Sequence, residues 1–276
     1  MRIAVMGAGS WGTALAMQLC RSGDDVHQWD RSVERAAATQ ANRENRQYLK
    51  GLALPENLTV SADLAAVLQG ATLVVSAVPS QVTRQVVEQA APLIALDAVV
   101  CCASKGIEEA TLQTMDEVIQ ESLPEALHEH LCFLAGPSFA REVAEGLPTA
   151  VVVASRSKIA ANAVADAFHG GPFRCYHTDD IAGAELGGAL KNIVAIACGV
   201  ADGAGAGLNA RAALITRGLA EITRLAVARG GNAQTLAGLA GMGDLVLTAT
   251  GNLSRNRRVG LALGQGRKLE DILEEL

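Results

Sequence analysis

The sequence of 276 residues is long enough for one or two domains, and its net charge is −6. Half of the residues are hydrophobic and 19% are charged, which excludes a disordered chain and a charge-rich coiled coil. The acidic balance and the 3% aromatic content exclude nucleic acid as a partner, because they provide neither a basic face nor a stacking surface.

The first thirty residues predict a strand, a glycine turn, a helix and a second strand. Arg2–Met6 is a short apolar run that ends in glycines. Thr13–Arg21 has apolar residues at helical spacing, and Gly23 follows as a stop signal. Asp25–Trp29 then predicts the second strand, which completes a βαβ unit.

The same alternation continues to about residue 180. A helix is predicted over Gln81–Ala91. The continuous apolar runs that predict buried strands are Ala71–Val78, Ala98–Ala103, Leu131–Ala135 and Thr149–Ala154. Such runs alternating with helices indicate an α/β protein with a Rossmann-type, doubly wound parallel sheet that is covered on both faces.

After residue 180 the pattern becomes entirely helical. Ile181–Arg229 contains no proline and no strand-like run, and the remainder is helical with glycine breaks. We therefore predict an α/β domain over 1–180 and a helical domain over 181–276. The chain stops at Leu276 inside an amphipathic pattern, KLEDILEEL, without a stop signal, which indicates that the helical domain is truncated.

Residues 7–12, GAGSWG, match the dinucleotide-binding fingerprint G-x-G-x-x-G between a predicted strand and a predicted helix. Gly7 would permit the tight turn, Gly9 would let the backbone approach a pyrophosphate, and Gly12 would allow close packing of helix on strand. The N–H groups at the start of the helix would then face the phosphates. The alternative is a purely structural glycine turn.

The second strand ends in two charges that point to different cofactors. Asp30 lies about 20 residues past the loop, where an acidic residue binds the ribose 2′-hydroxyl of NAD. Arg31 follows directly, and an arginine there accommodates the 2′-phosphate of NADP. Either residue could instead be a solvated surface charge.

Eight segments of the chain resemble bacterial glycerol-3-phosphate dehydrogenase, in the order of that family and over almost the whole length. They are GAGSWGTALA (7–16), VPS (78–80), ASKGIE (103–108), AGPSFAREVAEGLPTA (135–150), LGGALKNIVAI (186–196), NARAALITRGLAEITRL (209–225), GMGDLVLT (241–248) and NLSRNRRVG (252–260). Each segment alone is weakly specific, but the set is highly specific.

The resemblance implies an oxidoreductase that reversibly reduces dihydroxyacetone phosphate to sn-glycerol 3-phosphate with NADH or NADPH, for phospholipid synthesis. Besides the three glycines of the loop, the cofactor contacts that it implies are Ser10, Trp11, Arg31, Lys105, Ala140 and Arg255. The implied substrate contacts are Lys105, Gly136, Ser138, Lys191, Asp244, Ser254, Arg255 and Asn256, with Lys191 as the catalytic proton donor and acceptor. The family usually continues for some tens of residues past Leu276, with further cofactor contacts.

The chemistry of these residue types suits reduction of a phosphorylated ketone. Lys191 could stabilise the developing negative charge and deliver a proton, although a lysine on a helix also commonly extends to solvent. Lys105 follows a buried strand, where ligands of α/β sheets bind, or it is an ordinary loop lysine. Ser254, Arg255 and Asn256 form a phosphate-binding set, or a helix cap with solvated arginines.

Asp244 stands beside the glycines of GMGDL and allows three interpretations. It could orient Lys191, hydrogen-bond a substrate hydroxyl, or cap a helix. Two other functions stay open for the whole chain. One is a β-hydroxyacid or ketoacid reductase with a carboxylate site, and the other is a non-catalytic NAD(P)H sensor. A homodimer formed by the small-residue helices is also open.

The remaining composition predicts a cytoplasmic protein without a metal. The six cysteines contain no C-x-x-C pair and have apolar neighbours, which indicates buried thiols in a reducing compartment. The five histidines form no ligand pattern. We predict no signal peptide and no membrane span, since no uncharged apolar run reaches about 18 residues.

Overall fold

The structure is a computed structural model that describes residues 1–275, and it divides into two compact units. The first comprises Met1–Leu134 and Ser138–Ile181, and the second comprises Ala135–Pro137 with the described residues from Ala182 onward. The strands are β1 (Arg2–Met6), β2 (Asp25–Trp29), β3 (Leu58–Ser61), β4 (Leu73–Ser76), β5 (Val99–Cys102), β6 (Leu131–Ala135), β7 (Thr149–Ala154) and β8 (Phe173–Thr178).

These strands form one sheet in the order β3-β2-β1-β4-β5-β6-β7-β8. The pairings of β2 with β3, β1 with β2, β1 with β4, β4 with β5, β5 with β6 and β7 with β8 are parallel. The strand order reverses between β1 and β4, and ligands of open α/β sheets bind beyond the carboxyl ends of strands at such a point. The predicted Rossmann-type fold is therefore confirmed, and the glycine loop follows β1 at the reversal.

Helices alternate with the strands of the first unit. They are α1 (Ser10–Cys20), α2 (Val33–Asn42), α3 (Leu64–Leu68), α4 (Thr83–Ala90), α5 (Met115–Ser122), α6 (Ala140–Glu145) and α7 (Lys158–Ala167). Ile3 and Val5 of β1 share a core with α1, while the intervening Ala4 and Met6 are also fully buried. Because successive strand residues point to opposite faces, both faces of the sheet are covered. Burying each large apolar side chain contributes about 1.5–3 kcal/mol.

The second unit is helical, as predicted. Its elements are α8 (Ile181–Gly203), α9 (Gly207–Ala228), α10 (Ala233–Ala237), a π-helical turn (Leu239–Gly243), α11 (Asp244–Thr250), α12 (Arg255–Gly264) and α13 (Leu269–Glu274). The helix predicted from KLEDILEEL corresponds to α13, and its last residue, Leu276, lies outside the described residues.

One helix, α8, has the length and the apolar composition of a membrane span, with a mean hydropathy of 1.4 over its most apolar stretch. Half of that stretch is buried within the protein. A buried core helix of a globular domain can have the same length and apolar composition as a membrane span.

Glycines allow α8 to pack closely against α12. A Cβ at Gly199 would overlap the carbonyl oxygen of Arg257, and a Cβ at Gly260 would overlap that of Ile196. The α8 and α12 backbones therefore meet directly.

Candidate dinucleotide and substrate sites

Each glycine of the loop after β1 meets a different local constraint. Gly7 has φ +111°, and a Cβ there would lie 2.8 Å from the carbonyl oxygen of Ala77. A Cβ at Gly12 would overlap the carbonyl oxygen of Gly7. In contrast, a Cβ at Gly9 would meet nothing within 4 Å. The turn and the helix–strand packing thus need Gly7 and Gly12, while Gly9 leaves open space for a ligand to approach the backbone.

The start of α1 is suited to a phosphate. Gly9 is the N-cap of α1 and provides no side-chain acceptor for the first N–H groups of the helix. Those groups carry the positive end of the helix dipole, so an anion there is stabilised. Ser10 is the first residue of the helix and is half-buried. The Trp11 indole Nε1 donates to the carbonyl oxygen of Ala103, at 3.1 Å, which ties the loop to the chain after β5.

Two buried amide side chains, which the sequence analysis did not single out, hold the glycine loop from beneath. Gln28 Nε2 donates to the carbonyl oxygen of Gly7 at 2.9 Å. Asn45 Nδ2 donates to the carbonyl oxygen of Ala8 at 2.9 Å and to Thr13 Oγ1 at 2.8 Å. Because these amides take up the carbonyl groups of the loop, the loop is fixed while Gly9 stays open.

The two charges at the end of β2 have different environments. Arg31 is exposed. Asp30 is only 2% exposed, and its carboxylate pairs with the guanidinium of Arg35. The alternative that Asp30 is a solvated surface charge is therefore wrong, because Arg35 in the first turn of α2 pairs with its carboxylate.

Lys105 lies on the loop after β5 and is half-buried. The neighbouring loop after β4 braces this segment, since Gln81 Nε2 donates to the carbonyl oxygen of Ile107 at 2.8 Å and Gln81 Oε1 accepts from the Glu109 N–H at 3.0 Å. Arg84 adds an ion pair with Glu108 at 2.9 Å. The hydrogen bonds from the Arg84 guanidinium and the Thr111 hydroxyl lower the pKa of Glu108. Sequence reasoning missed Gln81 as a positioning residue.

Gly136, Ser138 and Ala140 lie in the segment that follows β6. Gly136 is buried and has φ +109°, a backbone conformation that favours glycine. Ser138 is half-buried, and Ala140 is the first residue of α6. A larger side chain at 136 would therefore be strained, and the small hydroxyl of Ser138 follows two residues later.

The second unit contains a buried ion pair between α8 and α11. Lys191 Nζ donates to Asp244 Oδ1; Lys191 is 8% exposed and Asp244 is 1% exposed. The interpretation that Lys191 extends to solvent is wrong, because its side chain is buried and paired with Asp244. The N-cap of α11 is Gly243 rather than Asp244, so the helix-cap interpretation is wrong, and the carboxylate of Asp244 pairs with Lys191. The carboxylate provides the opposite charge that a buried lysine side chain needs as a partner.

The start of α12 combines a helix cap with a basic first turn. Ser254 is the N-cap, and its Oγ accepts from the Arg257 N–H at 3.2 Å, as predicted for a capping serine. Arg255 is exposed and Asn256 is half-buried. The first turn contains no acidic residue. A phosphate could therefore bind the guanidinium, the amide and the free N–H groups of the helix.

A second polar cluster fixes α12 and α9 to the end of α8. Asp202 accepts from Arg257 Nη2 at 2.7 Å and from Arg211 Nη1 at 3.0 Å. Burial alone would raise the pKa of Asp202, but the hydrogen bonds from Arg257 and Arg211 lower it overall. The cluster and the glycine contacts together determine where the first turn of α12 lies along α8.

The predicted site residues divide between the two units. The first unit contains Gly7, Gly9, Ser10, Trp11, Gly12, Arg31, Lys105, Ser138 and Ala140. The second contains Gly136, Lys191, Asp244, Ser254, Arg255 and Asn256. Among residues 1–275, no group of three or more histidine, cysteine, aspartate or glutamate side chains could hold a metal ion. Burial raises the pKa of Cys132 to about 11 and that of Cys175 to about 12.

Comparison with known proteins gives consistent matches over the whole chain. A family model described as NAD-dependent glycerol-3-phosphate dehydrogenase N-terminus matches residues 2–161, and the C-terminus model of the same description matches residues 180–276. The glycerol-3-phosphate dehydrogenase (NAD(P)+) of Anaeromyxobacter dehalogenans is 53% identical over 276 residues, which are 100% of this chain and 83% of that protein. The enzyme of the same name from Myxococcus xanthus is 50% identical, over 100% of this chain and 82% of that protein.

Solved structures agree with the sequence matches. The crystal structure of glycerol-3-phosphate dehydrogenase from Coxiella burnetii superposes with a TM-score of 0.93 at 43% identity, covering 99% of this chain and 83% of that one. The yeast glycerol-3-phosphate dehydrogenase superposes with a TM-score of 0.84 at 26% identity, covering 100% and 84%.

Proposed function

The chain belongs to the NAD-dependent glycerol-3-phosphate dehydrogenase family, and on that premise we propose that Lys191, paired with Asp244, is its catalytic proton donor and acceptor. The protein is an NAD(P)-dependent oxidoreductase that interconverts dihydroxyacetone phosphate and sn-glycerol 3-phosphate. The comparisons support neither a ketoacid reductase nor a non-catalytic sensor. The observation that carries the assignment of Lys191 is its buried ion pair with Asp244.

The residues of the first unit fit a dinucleotide. Open space at Gly9 and the uncapped start of α1 suit the pyrophosphate, and Ser10 and Trp11 flank that position. Arg31 would contact the adenosine end, and Lys105 and Ala140 would contact the cofactor from the later loops. When bound, NAD(P)H supplies the hydride that reduces the ketone.

Lys191 would act on the oxygen of the substrate carbonyl. Its ammonium group can donate a hydrogen bond to that oxygen, stabilise the negative charge that develops there, and transfer a proton to form the alcohol. In the reverse direction the neutral amine accepts the proton of the alcohol. Asp244 would hold the lysine side chain in place through their ion pair.

The phosphate group of the substrate would bind the basic residues at the start of α12 and on the loop after β5. Arg255 offers a guanidinium that can bind phosphate through two parallel hydrogen bonds, and Asn256 adds an amide donor. Ser254 caps α12, which directs the N–H groups of its first turn toward an anion. Lys105, Gly136 and Ser138 are further substrate contacts that the family resemblance implies, and we propose them for this chain as well.

The test compares Lys191→Met and Asp244→Asn with the unchanged chain in reduction of dihydroxyacetone phosphate. We expect Lys191→Met to lower kcat by about 10²–10⁴-fold, the usual contribution of general acid catalysis, while NADPH still binds. Lys158→Met is the matched control, because Lys158 is exposed at the start of α7. It should leave kcat within about twofold, as surface substitutions commonly do.

A second variant separates catalysis from folding. Lys191→Met leaves the carboxylate of Asp244 buried without its cation, which costs about 3–5 kcal/mol. The double variant Lys191→Met/Asp244→Leu removes both charges and should recover stability in thermal denaturation without recovering turnover. Recovery of turnover in the double variant would contradict the assignment of Lys191.

The wider role is also proposed on this basis. The enzyme would supply glycerol phosphate for phospholipid synthesis, in the cytoplasm, where the buried thiols would stay reduced. Residues 1–180 would serve as the dinucleotide-binding domain and residues 181–276 as the substrate domain. A homodimer formed by the small-residue helices of the second unit is part of the proposal, and light scattering after gel filtration would test it.

A further inference from the structure

The end of β2 carries two side chains that select different cofactors in Rossmann units. An acidic residue accepts a hydrogen bond from the ribose 2′-hydroxyl and favours NAD, whereas an arginine favours the 2′-phosphate of NADP. This chain has Asp30 and Arg31 next to each other. The partners of each side chain decide which of the two can meet a ligand.

Asp30 is occupied by groups of its own unit. Its Oδ1 accepts from the Ser32 N–H at 3.0 Å and from Arg35 Nη2, and its Oδ2 accepts from Arg35 Nε. Only 2% of Asp30 is exposed, so the carboxylate lies beneath the surface. A ribose hydroxyl would have to compete with a guanidinium that binds both oxygens, which is among the strongest hydrogen-bonded pairs in proteins.

Arg35 is itself held in place. Its guanidinium lies over the ring of Tyr48, 5.5 Å from the ring centroid. The hydrogen bonds to Asp30 raise the pKa of Arg35, so its charge is permanent at any pH that the protein tolerates. The negative charge of Asp30 is thereby cancelled, and exposed Arg31 supplies the uncancelled charge beside it. Exposed Glu34 turns toward Ser32 Oγ, at 3.2 Å.

We infer that Arg35 sets the cofactor preference of this chain: it withdraws Asp30 from the ribose and leaves Arg31 to bind the 2′-phosphate, so that NADPH is preferred to NADH. The inference rests on one part of the proposed function, namely that the first unit binds the cofactor at the glycine loop. It goes beyond that site because a side chain with no required cofactor contact decides between the two dinucleotides.

The experiment titrates the whole chain with NADPH and NADH and follows the nicotinamide fluorescence, without substrate. For the unchanged chain we expect NADPH to bind about tenfold more tightly or better, as one additional charge-assisted hydrogen bond provides. Arg35→Gln should free the carboxylate of Asp30, strengthen NADH, weaken NADPH, and lower the NADPH/NADH preference about tenfold. Arg31→Gln should weaken NADPH alone.

Three further variants keep the test decisive. Arg35→Lys preserves the ion pair and should keep the NADPH preference that Arg35→Gln loses. Asp30→Asn combined with Arg35→Gln should abolish the gain in NADH binding expected for Arg35→Gln alone. Arg156→Gln is the matched control, because Arg156 also pairs with a buried aspartate, Asp116, at 2.8 Å in the same unit. It should leave the ratio unchanged.

Two outcomes would overturn the inference. One is equal or tighter binding of NADH by the unchanged chain, and the other is an unchanged ratio in Arg35→Gln while Arg31→Gln lowers it. Turnover of dihydroxyacetone phosphate, measured in parallel, reports on the proposed function separately. Normal turnover with an unchanged ratio therefore rejects the role of Arg35 alone.

Discussion

Gly260→Ala gives a sharp prediction, because a single methyl group would meet only backbone atoms. A Cβ at Gly260 would overlap the carbonyl oxygen of Ile196, and it would lie 2.9 Å from the carbonyl carbon of Ile196 and 3.0 Å from the Val200 nitrogen. Backbone atoms within α8 cannot rotate away. We expect α12 to move from α8 by on the order of 1 Å, which restores ordinary separations of about 3.5 Å.

The expected effect on stability is smaller than the effect on function. Overpacking costs about 1–3 kcal/mol, and the higher helix propensity of alanine offsets roughly 0.8–1 kcal/mol of that. The movement, however, carries Arg255 and Asn256 with the first turn of α12. A misplacement of about 1 Å commonly costs about 10²-fold in rate. We therefore expect kcat/KM for dihydroxyacetone phosphate to fall about 10²-fold, with a modest loss of stability.

The assay pairs steady-state kinetics with thermal denaturation. Ala262→Gly is the control, since Ala262 lies on the same helix two residues further along and therefore on the opposite face. It should cost about 1 kcal/mol of stability through helix propensity and leave KM unchanged. An unchanged kcat/KM in Gly260→Ala, or an equal loss in Ala262→Gly, would refute the argument that the glycine contact positions α12.

Three further changes test other parts of the account. Gly9→Ala should keep the fold but weaken NADPH binding in a fluorescence titration, whereas Gly7→Ala should lower the melting temperature, because φ +111° and the contact of 2.8 Å with Ala77 strain it. Gln81→Ala should raise KM for dihydroxyacetone phosphate about tenfold through the loop of Lys105. The melting temperature should change little, because the hydrogen bonds that Gln81 makes with Ile107 and Glu109 are exposed and water can replace them. Asp202→Asn should cost about 1–3 kcal/mol in urea denaturation at pH 7. Because the pKa of Asp202 is lowered on folding, its contribution exists above the ordinary carboxylate pKa of about 4 and disappears as the pH falls below it, so the variant and the unchanged chain should converge in acid.

Elements that bury continuous apolar runs were predictable from the sequence, and edge elements were not. The strands predicted from Ala98 and from Thr149 appear as β5 and β7, because their residues form nearly continuous apolar runs. Strand β8 was missed, since Phe173–Thr178 is the last strand of the sheet and its burial is mixed along a polar sequence. Strand β3, at the other edge, was missed for the same reason.

The candidate site was predictable where one short motif fixes the backbone, and less so where distant residues meet. The glycine loop follows from local sterics, so its three glycines are identified by spacing alone. In contrast, Asp244 lies 53 positions after Lys191, and the sequence left three roles open for the aspartate. Gln28 and Asn45 show no local signal, because a buried amide is recognised only by the carbonyl groups that the fold brings to it.

The central claim is that this chain reduces a phosphorylated ketone, and substrate comparison tests it most directly. NADPH oxidation by the unchanged chain is measured with dihydroxyacetone phosphate and with dihydroxyacetone. We predict that kcat/KM is about 10³-fold higher for the phosphorylated ketone, as expected from two charge-assisted hydrogen bonds to phosphate. Equal kcat/KM for the two ketones, in a chain that binds NADPH, would contradict the account.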